Sequence, residues 1–137
     1  HMTLGILIDE AGADTYTGKG LMQGCGHDYS CAILLDRSGN DAYLANDLSQ
    51  GAGSANGAWL LIDLLGDDRY LIKNPKNTQG FGDGRREFGS IGVVIDMSGA
   101  DQYNGNGKDN YFWRTDSRWG GGMDIETAPA DSTGKKQ

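Results

Sequence analysis

The sequence predicts an all-β repeat protein, a parallel β-solenoid (β-helix) of about four 27-residue coils with an aromatic C-terminal cap. Two observations carry this prediction. An eleven-residue motif of three apolar residues followed by D-x-x-G-x-D-x-Y occurs four times, at residues 6–16, 33–43, 60–70 and 93–103. Glycine, the residue typical of tight corners, supplies 23 of the 137 residues. A propeller blade needs about 40–45 residues, so a 27-residue unit is too short for one. Stacked coils are the favoured arrangement, and a closed barrel or another all-β repeat is the alternative.

Each unit opens with a strand that ends at the first aspartate of the motif. Positions −5, −3 and −1 relative to that aspartate are apolar in every copy, which predicts that this face is turned to the interior. These positions hold Leu4/Cys31/Ala58/Ile91, Ile6/Ile33/Leu60/Val93 and Ile8/Leu35/Ile62/Ile95. Position −2 is also apolar, in Leu7, Leu34, Leu61 and Val94. We therefore expect the opposite face to be partly covered by another layer or by a partner.

Two corners follow the first strand. D-x-x-G predicts a tight turn in which the aspartate accepts hydrogen bonds from turn amides. A second short strand then runs from the second aspartate through the tyrosine. The signature Q-G-x-G at Gln23, Gln50 and Gln79 predicts the next corner. The third unit is longer, and because both signatures survive, its extra residues are predicted to lie in loops.

The repeat domain is predicted to span residues 3–125, with units starting near residues 4, 31, 58 and 91. Residues 104–125 lose the repeat and contain Tyr111, Phe112, Trp113 and Trp119, which we expect to cover the last coil. Residues 126–137 lack periodicity and predict a flexible tail. The first strand starts abruptly, as expected of a piece of a longer array, so the first coil is predicted to be open to a further coil or a second copy.

Stacking places the aspartates in two columns, since equivalent residues of successive coils lie about 4.8 Å apart. The first aspartate column is Asp9, Asp36, Asp63 and Asp96, and the second is Asp14, Asp41, Asp68 and Asp101. Carboxylates at this distance repel by roughly 3–4 kcal/mol at an effective dielectric constant near 20. Amide donors, raised pKa values or bound cations can each relieve the repulsion. Because calcium prefers oxygen ligands, these eight aspartates are the candidate metal ligands.

The segments GADTY, GNDAY, GDDRY and GADQY match G-x-D-x-U, where U is apolar. In these five residues of each unit the chain resembles the calcium-binding repeats-in-toxin family, whose nonapeptide repeat places metal between stacked turns. The resemblance implies calcium-dependent folding outside the cell, with Asp14, Asp41, Asp68 and Asp101 at the family's ligand position. The alternative is that the aspartates form turns and are satisfied by backbone amides without metal.

The tyrosines, the cysteines and His27 have structural explanations as well as functional ones. The four tyrosines that end the motif are expected to stack as a packing column, the alternative being a binding platform. Cys25 and Cys31 align with apolar residues of other units, which favours free buried thiols over a disulfide or a zinc site. His27 occupies a polar corner, and without a nucleophile elbow it does not indicate hydrolase chemistry.

Composition limits the function classes. Carboxylates outnumber cations 19 to 12, without basic clusters, so a nucleic-acid partner is not expected. No apolar run approaches the ~20 residues of a membrane-spanning helix. Because every distinctive feature is repeated in phase, we expect a non-catalytic structural or adhesion-type module of a larger bacterial surface or secreted protein, with calcium as a stabilising ion.

Two further hypotheses concern partners. One is a carbohydrate-binding or polysaccharide-degrading β-helix module, in which Trp113, Trp119, Arg114 and Arg118 line a sugar groove. The other is self-association, through the open solenoid end or through the column Leu7/Leu34/Leu61/Val94.

Overall fold

The computed structural model describes residues 2–116 and 118–126, and within them twelve strands wind into a β-solenoid without any helix. The strands are β1 (Leu4–Asp9), β2 (Thr15–Gly20), β3 (Gly26–His27), β4 (Cys31–Asp36), β5 (Ala42–Asp47), β6 (Gly53–Ser54), β7 (Ala58–Asp63), β8 (Arg69–Ile72), β9 (Ile91–Asp96), β10 (Gln102–Tyr103), β11 (Phe112–Arg114) and β12 (Gly120–Asp124). The described part of the chain thus has no helix of the length and hydropathy that crossing a bilayer requires. Of the predicted tail at 126–137, all but Glu126 lies outside the described residues.

The strands of successive coils stack into three sides of the solenoid. The first side is a six-stranded sheet in the order β1-β4-β7-β9-β12-β11, and the second is a four-stranded sheet in the order β10-β8-β5-β2. The third is the pair β3-β6, continued by a bridge between Gly53 and Gly82. All pairings are parallel except β11 with β12. The predicted solenoid of about four coils is confirmed.

The register of the sheets matches the sequence repeat residue for residue. In the six-stranded sheet Asp9 pairs with Asp36, Asp36 with Asp63, and Asp63 with Asp96. In the four-stranded sheet Tyr16, Tyr43, Tyr70 and Tyr103 occupy equivalent positions. The predicted columns of aspartates and tyrosines therefore exist. The two loop segments of the long third unit, residues 73–78 and 84–90, contain no strand, as predicted.

The predicted direction of the first strand's faces is wrong. Leu34, Leu61 and Val94, at position −2, form the core with Tyr43, Tyr70 and Trp113. The side chains at positions −5, −3 and −1 point outward, and Ile6 and Ile8 are 58% and 55% exposed. We call the side chains at these three positions of β1, β4, β7 and β9 the outer apolar face. The prediction that the column at position −2 is a self-association surface is therefore wrong, because Leu34, Leu61 and Val94 are buried.

The aspartate that ends each strand explains this orientation. Asp36, Asp63 and Asp96 are at most 1% exposed and turn inward to accept hydrogen bonds. Side chains alternate between the two faces of a strand, so an inward aspartate at position 0 forces position −2 inward and positions −1 and −3 outward. Because both faces are apolar, apolar patterning alone could not decide between them.

The two ends of the solenoid differ. At the C-terminal end β12 adds a parallel strand beside β9, and the ring of Trp113 lies edge-on to Tyr103, with centroids 5.6 Å apart. The Trp113 indole N–H donates to the carbonyl oxygen of Gln79 at 2.9 Å. This part of the predicted cap is confirmed, whereas Tyr111, Phe112 and Trp119 remain exposed. At the other end β1 and β2 are edge strands.

We expect Gly66→Ala to destabilise the protein strongly. A β-carbon at Gly66 would lie 1.6 Å from the carbonyl oxygen of Gly39 in the preceding coil, so the coils would have to separate. The expected loss in the free energy of unfolding is about 3 kcal/mol or more, measured by urea denaturation. Gly84→Ala is the matched control, since its β-carbon would meet no atom within 4 Å, and it should cost less than about 1 kcal/mol. Equal losses would contradict the close-approach explanation.

Candidate metal centre

The first aspartate column is held by tyrosine hydroxyls from the preceding coil. The Tyr43 hydroxyl donates to Asp63 Oδ2 at 2.7 Å, and the Tyr70 hydroxyl donates to Asp96 Oδ2 at 2.7 Å. Tyr16 makes the same bond to Asp36 at 2.6 Å. The second carboxylate oxygen of Asp36 accepts from the amide of Ser38 at 3.1 Å, as expected for an aspartate that caps its own turn.

The second aspartate column is held by backbone amides. The amide of Asp14 donates to Asp41 Oδ1, that of Asp41 to Asp68 Oδ1, and that of Asp68 to Asp101 Oδ1, at 2.5–2.6 Å. Each carboxylate thus bonds the backbone of the coil before it. One oxygen each of Asp41, Asp68 and Asp101 is satisfied in this way, which supports in part the alternative that backbone amides satisfy the aspartates.

The two columns converge inside the solenoid and form three clusters of carboxylates. In each cluster the members offer one oxygen each, and these oxygens lie within 4.8 Å of one another. The first cluster is Asp41, Asp63 and Asp68; the second is Asp68, Asp96 and Asp101; the third is Asp101, Asp109 and Asp124. Asp68 and Asp101 each belong to two clusters, so the clusters form a continuous row along the axis. Clustered aspartates that can hold a metal ion are therefore present.

Several of these buried oxygens have no hydrogen-bond partner. They are Asp41 Oδ2, Asp63 Oδ1, Asp68 Oδ2, Asp101 Oδ2 and Asp124 Oδ2. All five side chains are more than nine-tenths buried. A buried oxygen of an ionised carboxylate without a partner is costly, because it loses its hydration without replacement. These oxygens therefore need either protons on the carboxyl groups or bound cations, because they have no hydrogen-bond partner.

Burial raises the pKa of six clustered carboxyl groups, those of Asp41, Asp63, Asp68, Asp96, Asp101 and Asp124. Desolvation is the main cause, followed by mutual repulsion, and the amide donors oppose it only partly. The pKa is raised to about 6 for Asp41, about 7 for Asp96, about 8 for Asp101 and about 9 for Asp68. The pKa of Asp63 is also raised, by burial and by the charge of Asp36. At pH 7 and without a bound cation, these pKa values favour the neutral form of Asp68 and Asp101.

The last cluster uses two aspartates that the sequence analysis missed. Asp124 ends β12 and pairs with Asp96, and Asp109 accepts the amide of Asp101 at 2.7 Å. Together they complete a fifth level of both columns from two separate segments of the cap. The position of Asp124, 28 residues after Asp96 and thus within one residue of the repeat length, is a signal that could have identified it. Asp109 follows no spacing rule, since the chain between it and Asp101 does not form a coil.

Three candidate ligands lie apart from these clusters. Asp9 and Asp14 are in the open first coil and are partly exposed, whereas Asp36 is buried and bonded to Tyr16 and Ser38. Of the eight predicted ligands, the described structure brings together Asp41, Asp63, Asp68, Asp96 and Asp101. The clusters thus lie towards the C-terminal end of the solenoid.

The tyrosine column is a packing element. Successive rings stack with centroids 4.9, 4.8 and 4.6 Å apart. Tyr43 and Tyr70 are fully buried and Trp113 is 8% exposed, so the predicted sugar groove does not include Trp113. Asp63, Asp68 and Asp96 are also fully buried, out of reach of a polymer substrate.

A parallel row of glutamines lies beside the tyrosines. The Gln50 side-chain amide donates to the carbonyl oxygens of Tyr43 and Leu71, at 2.8 and 3.3 Å, and Gln23 bonds equivalent atoms one coil earlier. Gln79 donates to the carbonyl oxygen of Tyr70 and to Gln50 Oε1. The Q-G-x-G signature therefore ties its corner to the second strand, as the corner prediction requires.

The cysteines are free, as expected. Cys25 is buried and its thiol donates to the carbonyl oxygen of Leu48 at 2.8 Å, and burial raises its pKa. Cys31 belongs to the outer apolar face and is only half-buried, so the buried-thiol prediction is wrong for it. His27 lies 3.1 Å from a carboxylate oxygen of Asp28.

Comparisons with protein-family models, with curated proteins and with solved structures give no match for this chain. The functional argument therefore depends on the geometry of the aspartate clusters.

In the presence of a chelator, we expect the protein to lose stability as the pH rises from 5 to 9. The native pKa values of about 6 to 9 lie above the ~3.9 of an unfolded aspartate, so the native state binds more protons in this range. The thermal midpoint, followed by circular dichroism, should fall by roughly 5 °C or more. Asp63, Asp96 and Asp101 face Asp68 and share in this titration. A midpoint that rises with pH would contradict the raised pKa values.

We expect Tyr43→Phe to destabilise the protein by about 1–3 kcal/mol, because Asp63 Oδ2 loses its buried hydroxyl donor. Tyr29→Phe is the control, since the Tyr29 side chain is 58% exposed. Urea denaturation at pH 7 measures both. A loss no greater than that of the control would show that the tyrosine column acts through ring stacking alone.

Proposed function

We propose that this chain is a non-catalytic, calcium-stabilised structural or adhesion-type repeat module of a larger surface or secreted protein. One observation carries the proposal: buried carboxylate oxygens without a partner recur in all three clusters along the axis. A structural ion explains this recurrence, because stacking repeats the site at each level. An active site, by contrast, needs carboxylates that differ from one another and that a substrate can reach.

The chemistry of the clusters favours calcium among the common ions. Every group in them is a carboxylate, a hard oxygen ligand, and none is the nitrogen or sulfur that zinc prefers. Calcium–oxygen distances near 2.4 Å allow ligand oxygens up to about 4.8 Å apart, which suits oxygens that lie within 4.8 Å of one another. Bound calcium would replace the protons that the raised pKa values favour.

Two further considerations support this function. The G-x-D-x-Y segments resemble repeats-in-toxin sequences, and Asp41, Asp68 and Asp101 of those segments belong to the clusters. Calcium sites of extracellular modules bind with dissociation constants of about 0.1–1 mM, which agrees with a location at the cell surface or outside the cell. The carbohydrate hypothesis has no comparable support, since Trp113, one of the two tryptophans that it needs, is in the core.

The proposal is tested by thermal unfolding at pH 8 in chelator and in about 10 mM calcium. Calcium should raise the midpoint by roughly 5 °C or more, because it binds the folded state alone. Asp68→Asn should abolish most of this shift, since Asp68 belongs to two clusters. Asparagine keeps an oxygen for the amide of Asp41, so the backbone contact is preserved. In chelator the same variant should be more stable than the wild type at pH 8.

Asp67→Asn is the matched control. Asp67 is the neighbouring residue, its side chain is exposed, and its hydrogen bond from the amide of Ala100 is one that asparagine can accept. This variant should respond to calcium like the wild type. A wild-type midpoint that calcium leaves unchanged would refute the metal site, and a full calcium response in Asp68→Asn would refute its location.

A further inference from the structure

The outer apolar face is the largest feature that the aspartate row does not explain. All twelve of its positions hold Leu, Ile, Val, Ala or Cys, without a charged or strongly polar side chain. β12 and β11 extend it with Met123, which pairs with Ile95, and with Phe112, which is 67% exposed. The apolar face thus continues onto the last two strands, where Gly121 lies beside Val93 and the exposed Arg114 lies beside Gly121 at its margin.

A parallel sheet of this composition is normally covered on both sides. The inner side is covered by the tyrosines, whereas Ile6, Ile8 and Ile91 on the outer side are at least half exposed. Parallel sheets occur almost only where other layers cover both faces. Exposed apolar patches larger than a few hundred Å² mark interaction sites on soluble proteins.

The size of the face matches what a dimer of modest affinity needs. Six strands about 4.8 Å apart, each with about five residues at 3.3 Å, span roughly 29 Å by 17 Å, or about 490 Å². Two such faces in contact bury about 1,000 Å² in total, at the lower end of specific interfaces. An interface confined to a single coil would fall far below this limit.

We propose that the outer apolar face is a homodimer interface, in which two copies of this chain pack sheet against sheet as a β-sandwich. A two-fold contact joins the same surface of both copies, so that surface must carry both projections and hollows. The outer apolar face carries both. Phe112 projects from one end of the face, and a hollow of about 260 Å³ lies around Ala58, between Ile33 and Ile91.

A second copy offers a surface of the same apolar chemistry as the face that it would cover. The chain carries a net charge of −7, and face-to-face packing leaves these charges at the rim or on the far sides. Residues 127–137 consist of small, polar and charged residues, so they do not match an apolar surface. The inference is independent of the proposed metal sites, because the aspartates face the interior.

Sedimentation velocity between about 1 µM and 1 mM tests the proposal, in chelator and in calcium. The wild type should shift from monomer to dimer over this range. Leu60→Lys, at the centre of the face, should weaken the dimer at least tenfold, because it buries an unpaired charge at the contact. Leu65→Lys is the matched control, since Leu65 is an exposed leucine in the following turn, away from the face. Its dimerisation should equal that of the wild type.

A second measurement guards against a variant that fails to fold. Cys31 lies on the face, whereas Cys25 is buried and hydrogen-bonded, so maleimide labelling of the native wild type reports on Cys31. Labelling should slow as protein concentration rises. A labelling rate independent of concentration, or a monomer at every concentration, would overturn the proposal. So would a dimer unaffected by Leu60→Lys, which would assign association to the open edge. A monomer that binds phosphatidylcholine vesicles would assign the face to a lipid surface.

Discussion

The stacking of one coil on the next in strict register is the constraint on which the rest of the structure depends. Two interactions enforce it at every level: a tyrosine hydroxyl that reaches the aspartate of the next coil, and an aspartate that accepts the amide of the coil before it. Both bonds join successive coils, and the last coil adds a bond of its own, from the Tyr103 hydroxyl to Asp96 Oδ2 at 3.1 Å. A shift by one residue would break both bonds at once and would turn every apolar side chain to the opposite face.

This arrangement uses carboxylates as interior structural groups. Each aspartate satisfies one oxygen with a neighbour and leaves the other in a dry, crowded row, where desolvation and repulsion raise the pKa. Protons or cations that neutralise the clustered levels of the row therefore stabilise the folded state. The two forms of neutralisation oppose each other, because a proton occupies the oxygen that a cation would bind. The same bonds that set the register thus bring the carboxylates of the row together.

The inward aspartates also decide what the outside of the solenoid looks like. Since pleating alternates the side chains, a polar group inside at position 0 moves the apolar groups at positions −1 and −3 outside. The result is a protein with a partly polar interior and an apolar outer sheet, the reverse of the usual distribution. Its two ends differ as well, because Trp113 closes one end while β1 and β2 are edge strands at the other.

The sequence by itself determined the repeat, the solenoid, the alignment of both aspartate columns and the stacked tyrosines, because stacking makes each unit pair with its own copies. It also located Trp113 in the cap. Tertiary structure alone decided which face of β4 and β7 is buried, since both faces are apolar and only the bond from Tyr43 to Asp63 distinguishes them. It alone brought Asp109 beside Asp124 and Asp101, because the cap abandons the repeat and reaches the row through two separate segments. Periodicity predicts contacts between copies, but a segment without a copy is placed only by packing.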